Sequence, residues 1–181
     1  AAEAAGEAGK AAGMAEGCGV RFKGDPVGRG GLAFVLGSVE TRLLDLTNAY
    51  ATLGRSGVRR NIRTFLDEPV VDSRILDSDV CAWLGHELSS WRFPSTEFEN
   101  LSLQSTPWFM RKTGTSSGRR DAWAVGHNGK YAVGVWVGRL SGMGDEAYVG
   151  AKVAEPVLAR IFDLSKIRVT EAPEKPIPWT G

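Results

Sequence analysis

Cysteine is scarce in this chain: only Cys18 and Cys81 occur in 181 residues, too few for a disulfide framework. The sequence leaves two readings open, a pair of buried free thiols, which we favour, or one bridge in an oxidising compartment. Histidine is equally scarce, and Cys81 and His86 stand five apart on a predicted helix without sharing a face. That excludes a recognisable metal centre, so no metal is expected. No hydrophobic run approaches the roughly 18 residues that span a bilayer. The N-terminal AAEAAGEAGKAAGMAEG lacks the apolar stretch of a signal peptide. A protein working outside the cytoplasm would need a delivering and anchoring segment that these residues do not contain. Charge of one sign is also missing: 22 Lys and Arg stand against 21 Asp and Glu, for a net charge of +1. Such a balance gives no global field for nucleic acid or anionic lipid. The short clusters at Arg55, Arg59, Arg60 and Arg63, and at Arg111, Lys112, Arg119 and Arg120, read as solvated surface.

What is present is ordinary for a globular chain, with 43% hydrophobic and 24% charged residues. The length suits one domain with a real core or two very small ones. Residues 1–22 are rich in Ala, Glu and Lys, which predicts partial helix interrupted by glycine. Residues 23–31 read as a turn-rich linker. Leu43, Leu46, Ala49, Tyr50 and Leu53 follow helical spacing over 41–53, with Gly54 as the stop. Residues 58–76 suggest an extended segment or short hairpin. Asp77 or Ser78 suits the cap of a second helix that would bury Val80, Trp83, Leu84 and Leu88. A long polar connection is expected over 89–107. Strands are predicted at 108–116, 122–126 and 131–138, the last two joined through Asn128-Gly129, a pair suited to a type I′ turn. Helical spacing returns at 149–164, where Pro156 kinks the helix or starts its main part. The tail over 165–181 is Pro-rich and reads as extended.

The chemistry concentrates in Lys112-Thr113-Gly114-Thr115-Ser116 and, just beyond it, Asp121-Ala122-Trp123. The block RKTGTSSGRRDAWAVGHNGKYAVGVWVGR resembles the C-terminal part of the transpeptidase domain of bifunctional penicillin-binding proteins, particularly the 1C type. Asp121 and Trp123 match that family's Asp-x-Trp, and Val135-Trp136-Val137-Gly138 its VWVG strand. Leu46-Thr47-Asn48-Ala49-Tyr50-Ala51-Thr52-Leu53 matches a helix that often reads LANAYATLANGG, and Gly30 to Gly37 a Gly- and Leu-rich segment before it. Similar blocks thus run from about residue 28 to about residue 162. The resemblance implies that Lys112 supplies positive charge and assists proton transfer. It also implies that the hydroxyls of Thr113 and Thr115 meet a substrate carboxylate, and that the Thr115 N–H is an oxyanion donor. Gly114 would let substrate lie against the strand edge. Trp123 and Trp136 read as packing, and Asp121 as a hydrogen-bonder at a turn or hairpin.

Two further motifs of that family are absent. No lysine of the chain has Ser three positions before it, and no asparagine has Ser two positions before it. Ser-x-x-Lys and Ser-x-Asn are therefore missing, and with them the nucleophile. One alternative is a degenerate binding or scaffolding module. A weaker one is a serine hydrolase using Gly114-x-Ser116-x-Gly118, which needs a helix after Ser116 and a histidine and acid near it. Gly28-x-Gly30-x-x-Ala33 follows Pro and charge rather than the strand a dinucleotide site requires, and Gly142-x-Gly144-x-x-Ala147 carries Asp145 and Glu146, which would repel a pyrophosphate.

The expectation is an α+β fold, part of the penicillin-recognising transpeptidase fold. Residues 1–107 would be a remnant of its helical subdomain, and 108–164 an antiparallel sheet with a C-terminal helix. The implied partners, in a complete domain, are peptidoglycan stem peptides and β-lactams on the extracytoplasmic side of the membrane, and the resemblance implies no metal or organic cofactor. The isolated chain is expected to be inactive, and to self-associate through uncovered faces and sheet edges.

Overall fold

A computed structural model describes residues 2–89, 108–164 and 166–169. The polar connection at 90–107 and most of the Pro-rich tail lie outside the described residues. Among the described residues the fold is α+β: helices come first, then an antiparallel sheet, then a C-terminal helix.

Helix α1 (Ala2–Gly17) buries Ala8 and Ala12, one turn apart, while Gly6, Gly9 and Gly13 face open space. Residues 23–31 are more ordered than a linker. Asp25 caps a single helical turn, α2 (Pro26–Gly30), by accepting from the Val27 N–H at 3.0 Å, and Pro26 supplies a preset φ at its start. A 3-10 segment, Gly31–Leu36, follows. Helix α3 (Leu43–Gly54) then forms with the predicted spacing. Its Asp45 is buried in the first turn and takes two 2.8 Å hydrogen bonds from the Arg21 guanidinium. Those bonds hold the Asp45 carboxyl below its ordinary pKa.

The expected hairpin at 58–76 is a short ladder of β1 (Val58–Arg60) and β2 (Asp72–Arg74). Helix α4 (Ser78–Ser89) begins where predicted, but its buried face is rotated. Cys81 and Gly85 lie inward, and Trp83 is turned out at 43% exposure. Cys18 and Cys81 are both buried and free.

The main sheet has the order β3-β4-β5, all antiparallel: β3 (Met110–Thr115), β4 (Asp121–His127) and β5 (Ala132–Gly138). The turn between β4 and β5 is not the type I′ pair Asn128-Gly129. Asn128 N–H donates to the Tyr131 carbonyl at 3.1 Å, so Gly129 and Lys130 are the central residues, and Gly129 alone of the turn has positive φ, 81°. The Asn128 side chain sets this register by accepting from the N–H groups of Lys130 and Tyr131.

Strand alternation sorts the sheet into two covered faces. Phe109, Ala122, Ala124 and Val135 pack against Ala154, Leu158, Ala159 and Phe162 of the C-terminal segment. That segment opens with a π-helical turn (Gly150–Ala154), and Glu155 and Pro156 begin helix α5 (Glu155–Phe162). Leu158 and Phe162 are fully buried, and Phe109 stacks on Phe162 with centroids 4.7 Å apart. Each such side chain contributes roughly 1.5–3 kcal/mol. On the opposite face α3 lies so close to β5 that a Cβ on Gly134 would overlap Thr47 Oγ1.

The open glycines of α1 generate a prediction. Replacing Gly9 or Gly13 with Ala removes unfolded-state freedom and meets no atom, so each change should stabilise by about 0.5–1 kcal/mol. Thermal unfolding should show an additive rise for the double variant.

Candidate functional site

The Lys-Thr-Gly-Thr segment lies on β3, which pairs only with β4 among the described residues and so forms the outer strand of the sheet. Met110 and Arg111 are buried, whereas Lys112, Gly114 and Thr115 are exposed. The first half of β3 anchors the strand, and the second half presents it.

Register fixes which way the side chains point. Lys112 pairs with Val125, and Val125 with Gly134, the row that faces α3. Thr113 pairs with Ala124, and Thr115 with Ala122, both core residues under α5. The lysine and the two threonines therefore leave opposite faces of the sheet, and the strand edge lies between them. Gly114 stands opposite Trp123, and a Cβ there would come 3.7 Å from Trp123 Cβ, an ordinary contact. Within the protein, a close approach that glycine enables is at Gly150. A Cβ on Gly150 would lie 2.5 Å from the Gly114 carbonyl oxygen and 2.7 Å from that of Trp123.

Hydrogen bonds hold the segment in place. The Gly150 N–H donates to Thr115 Oγ1 at 3.0 Å, which leaves the Thr115 hydroxyl proton available to a ligand. Lys112 Nζ donates to the Thr113 carbonyl at 2.8 Å. Arg111, 8% exposed, is ion-paired through Nε with Glu155, 4% exposed, which joins β3 to the start of α5. Asp121 is a hydrogen-bonder, as read from the sequence: its carboxylate accepts from Trp136 Nε1 at 2.8 Å. Its N–H donates to Ser116 Oγ at 2.8 Å.

The Gly-x-Ser-x-Gly alternative does not assemble. Ser116 is followed by a three-residue 3-10 turn, Ser117–Arg119, and then by β4 rather than a helix. His127 pairs with Met110, at the far end of β3 from Ser116, about 20 Å away by strand rise. His127 is buried; its Nδ1 accepts from the Gly129 N–H at 3.2 Å, and Nε2 has no partner among the described residues. Burial pushes its pKa down to about 4. Among the described residues no group of three or more His, Cys, Asp and Glu side chains could hold a metal.

Sequence reasoning missed Glu155 and Gly150. Pro156 marked the helix start, but nothing local showed that the residues on its N-terminal side reach β3.

Comparison with known proteins agrees with the motif. The chain is 31% identical over 147 residues to penicillin-binding protein 1C of Escherichia coli K12, covering 81% of this chain. It is 29% identical over 152 residues to penicillin-binding protein 1A of Mycobacterium tuberculosis, covering 73% of this chain. It is 28% identical over 147 residues to penicillin-binding protein 1A of Mycolicibacterium smegmatis. No protein-family model matches. An α+β unit with Lys-Thr-Gly-Thr on its outer strand is the class of structure in view. The chain belongs with the penicillin-binding proteins, as a segment from the C-terminal part of the transpeptidase domain. It spans about a fifth of the length of these relatives, 19% of the first and 17% of the other two.

Two predictions follow from the anchoring groups. Glu155→Ala leaves the Arg111 charge buried without its carboxylate, and should cost about 3–5 kcal/mol in urea unfolding. The double change Arg111→Met with Glu155→Leu should recover most of that loss. His127 titrates near 6.5 when unfolded and about 4 when folded, so the unfolded chain binds more protons between those values. Stability is therefore full above pH 6.5 and falls as pH drops toward 4, by about 2–3 kcal/mol. In His127→Gln the urea midpoint should lose most of its dependence on pH across this window.

Proposed function

We propose that this chain is the Lys-Thr-Gly-bearing C-terminal segment of a peptidoglycan D,D-transpeptidase domain, and that it cannot catalyse acyl transfer alone. The observation that carries this reading is the exposure of Lys112, Gly114 and Thr115 on an outer strand, within a segment similar to penicillin-binding proteins. Residues 1–107 belong, on this reading, to the helical part of the domain, and 108–164 to its sheet and last helix.

The chemistry divides between this chain and the residues it lacks. The substrate is a stem peptide ending in D-Ala-D-Ala. A serine supplied by a Ser-x-x-Lys segment attacks the penultimate carbonyl, D-Ala leaves, and an amine from a neighbouring strand resolves the acyl-enzyme. Lys112 supplies positive charge beside the terminal carboxylate and assists proton transfer. Thr113 and Thr115 donate hydroxyl hydrogen bonds to that carboxylate, and the Thr115 N–H stabilises the tetrahedral oxyanion. No cofactor is needed. The work is extracytoplasmic, where the polymer is, with anchoring supplied by a segment outside these residues. No described helix is long and apolar enough to cross a membrane.

Intact-protein mass spectrometry after incubation with a penicillin tests the reading. The isolated chain should show no adduct. Joined to a preceding transpeptidase segment that carries Ser-x-x-Lys and Ser-x-Asn, it should gain the mass of one drug molecule. Lys112→Ala should then slow acylation by about 100-fold, and Thr115→Val by about tenfold. An adduct on the isolated chain would overturn the proposal, as would an unchanged rate in Lys112→Ala.

A further inference from the structure

The loop between β3 and β4, residues 116–120, holds a positive charge on a strained and closely anchored backbone. Arg119 has φ of 50°, a left-handed conformation that non-glycine residues other than Asn and Asp rarely adopt. Hydrogen bonds keep it there. Ser116 N–H donates to the Asp121 carbonyl at 2.9 Å, and Arg119 N–H to the Ser116 carbonyl at 3.0 Å. From the other side the Asp145 N–H donates to the Arg119 carbonyl at 3.0 Å, and Arg119 Nη1 donates to the Glu146 carbonyl at 3.0 Å. Gly144 packs so closely that a Cβ on it would lie 2.1 Å from the Gly118 carbonyl oxygen. Strain that its surroundings enforce to this degree points to a use for the side chain.

The same anchors place that side chain. Residues 145–150 run from Arg119 to Thr115: Asp145 and Glu146 hold the arginine, and the Gly150 N–H holds Thr115 Oγ1 at 3.0 Å. The guanidinium is thus fixed beside the end of β3 that carries Thr115. The Glu146 carbonyl occupies one donor of its fork, and Arg119 forms no ion pair among the described residues. Two carboxylates of the region are committed elsewhere, Asp121 to Trp136 Nε1 at 2.8 Å and Asp145 to the Arg139 guanidinium at 3.0 Å.

The roles proposed for β3 give a donor peptide a direction. Its terminal carboxylate lies by Lys112 and Thr113, and its penultimate carbonyl at the Thr115 N–H. The rest of the peptide therefore continues past Thr115, alongside residues 116–120. We propose that Arg119 is a specificity-determining residue that binds a carboxylate on the part of the donor preceding D-Ala-D-Ala. This rests on the transpeptidase reading and adds to it the charge of the preferred donor. A planar guanidinium held on one side by a carbonyl presents its remaining donors to a carboxylate, a directional fit that an ammonium lacks. Arg120 is the natural control: it has the same charge, an ordinary φ of −80°, and no side-chain hydrogen bond among the described residues.

The test uses the joined protein that carries Ser-x-x-Lys and Ser-x-Asn, with benzylpenicillin and two peptides, acetyl-Glu-D-Ala-D-Ala and acetyl-Gln-D-Ala-D-Ala. Release of D-Ala should favour the Glu peptide in kcat/KM. Arg119→Asn keeps a residue that tolerates positive φ, and should lower the Glu-to-Gln ratio of kcat/KM about tenfold. Arg119→Lys should restore part of the preference, and Arg120→Asn should leave it intact. Thermal unfolding of the isolated chain separates a purely structural role, since Arg119→Asn should keep or raise Tm by relieving strain. A lower Tm with an unchanged ratio would make Arg119 a clamp between loops and overturn the proposal. An equal loss of preference in Arg119→Asn and Arg120→Asn would overturn it too, in favour of a diffuse field. Benzylpenicillin distinguishes the two levels of failure. An adduct with no Arg119-dependent preference overturns this inference alone, whereas no adduct in any of the joined proteins overturns the transpeptidase reading and this inference with it.

Discussion

The buried Arg111–Glu155 ion pair fixes the relation between the outer strand and the C-terminal helix, and the rest of the site depends on that relation. Arg111 immediately precedes Lys112 and points the other way, so anchoring one side chain under α5 sets the direction of the next. Gly150 completes the anchor one helical turn earlier, with its N–H on Thr115 and its missing side chain against the Gly114 carbonyl. A buried charge pair is a costly way to gain stability compared with apolar packing. Here it specifies register and direction at the strand whose far half is exposed.

The remaining packing serves the same strand. Apolar contacts from Phe109, Leu158 and Phe162 close the α5 face, while α3 presses on Gly134 from the other side. Strand β4, in the middle, transmits both constraints to β3 through its ladder. Lys112 and Thr115 thereby reach solvent from opposite faces while their backbone stays fixed, a preorganised edge rather than a pocket.

Much of this was legible in the residues. The helical spacing of Leu43, Leu46, Tyr50 and Leu53 gave α3, and the apolar runs around Trp123 and Trp136 gave β4 and β5. Lys112 to Thr115 could be placed on a strand, and Asp121 identified as a hydrogen-bonder. What escaped was tertiary in origin. The face that α4 buries is decided by what it packs against, so Cys81 and Gly85 lie inward rather than Trp83. The hairpin turn follows the Asn128 side chain, which bonds Lys130 and Tyr131 and moves the central pair to Gly129 and Lys130. Glu155 carries no local sign of its partner 44 residues earlier. The opposite facing of Lys112 and Thr113 follows from strand alternation alone, yet it gains meaning only once α3 and α5 occupy the two faces.

The central claim is that these residues hold the Lys-Thr-Gly strand in a fixed geometry without the segment that would carry the nucleophile. Native-state hydrogen exchange of the isolated chain, read residue by residue along β3 and β4, tests it most directly. The account predicts that the ladder amides of β3 and β4 are among the slowest in the protein and exchange only through global unfolding. Ladder amides of β3 that exchange at the rate of an open chain, while α3 and α5 stay protected, would contradict it.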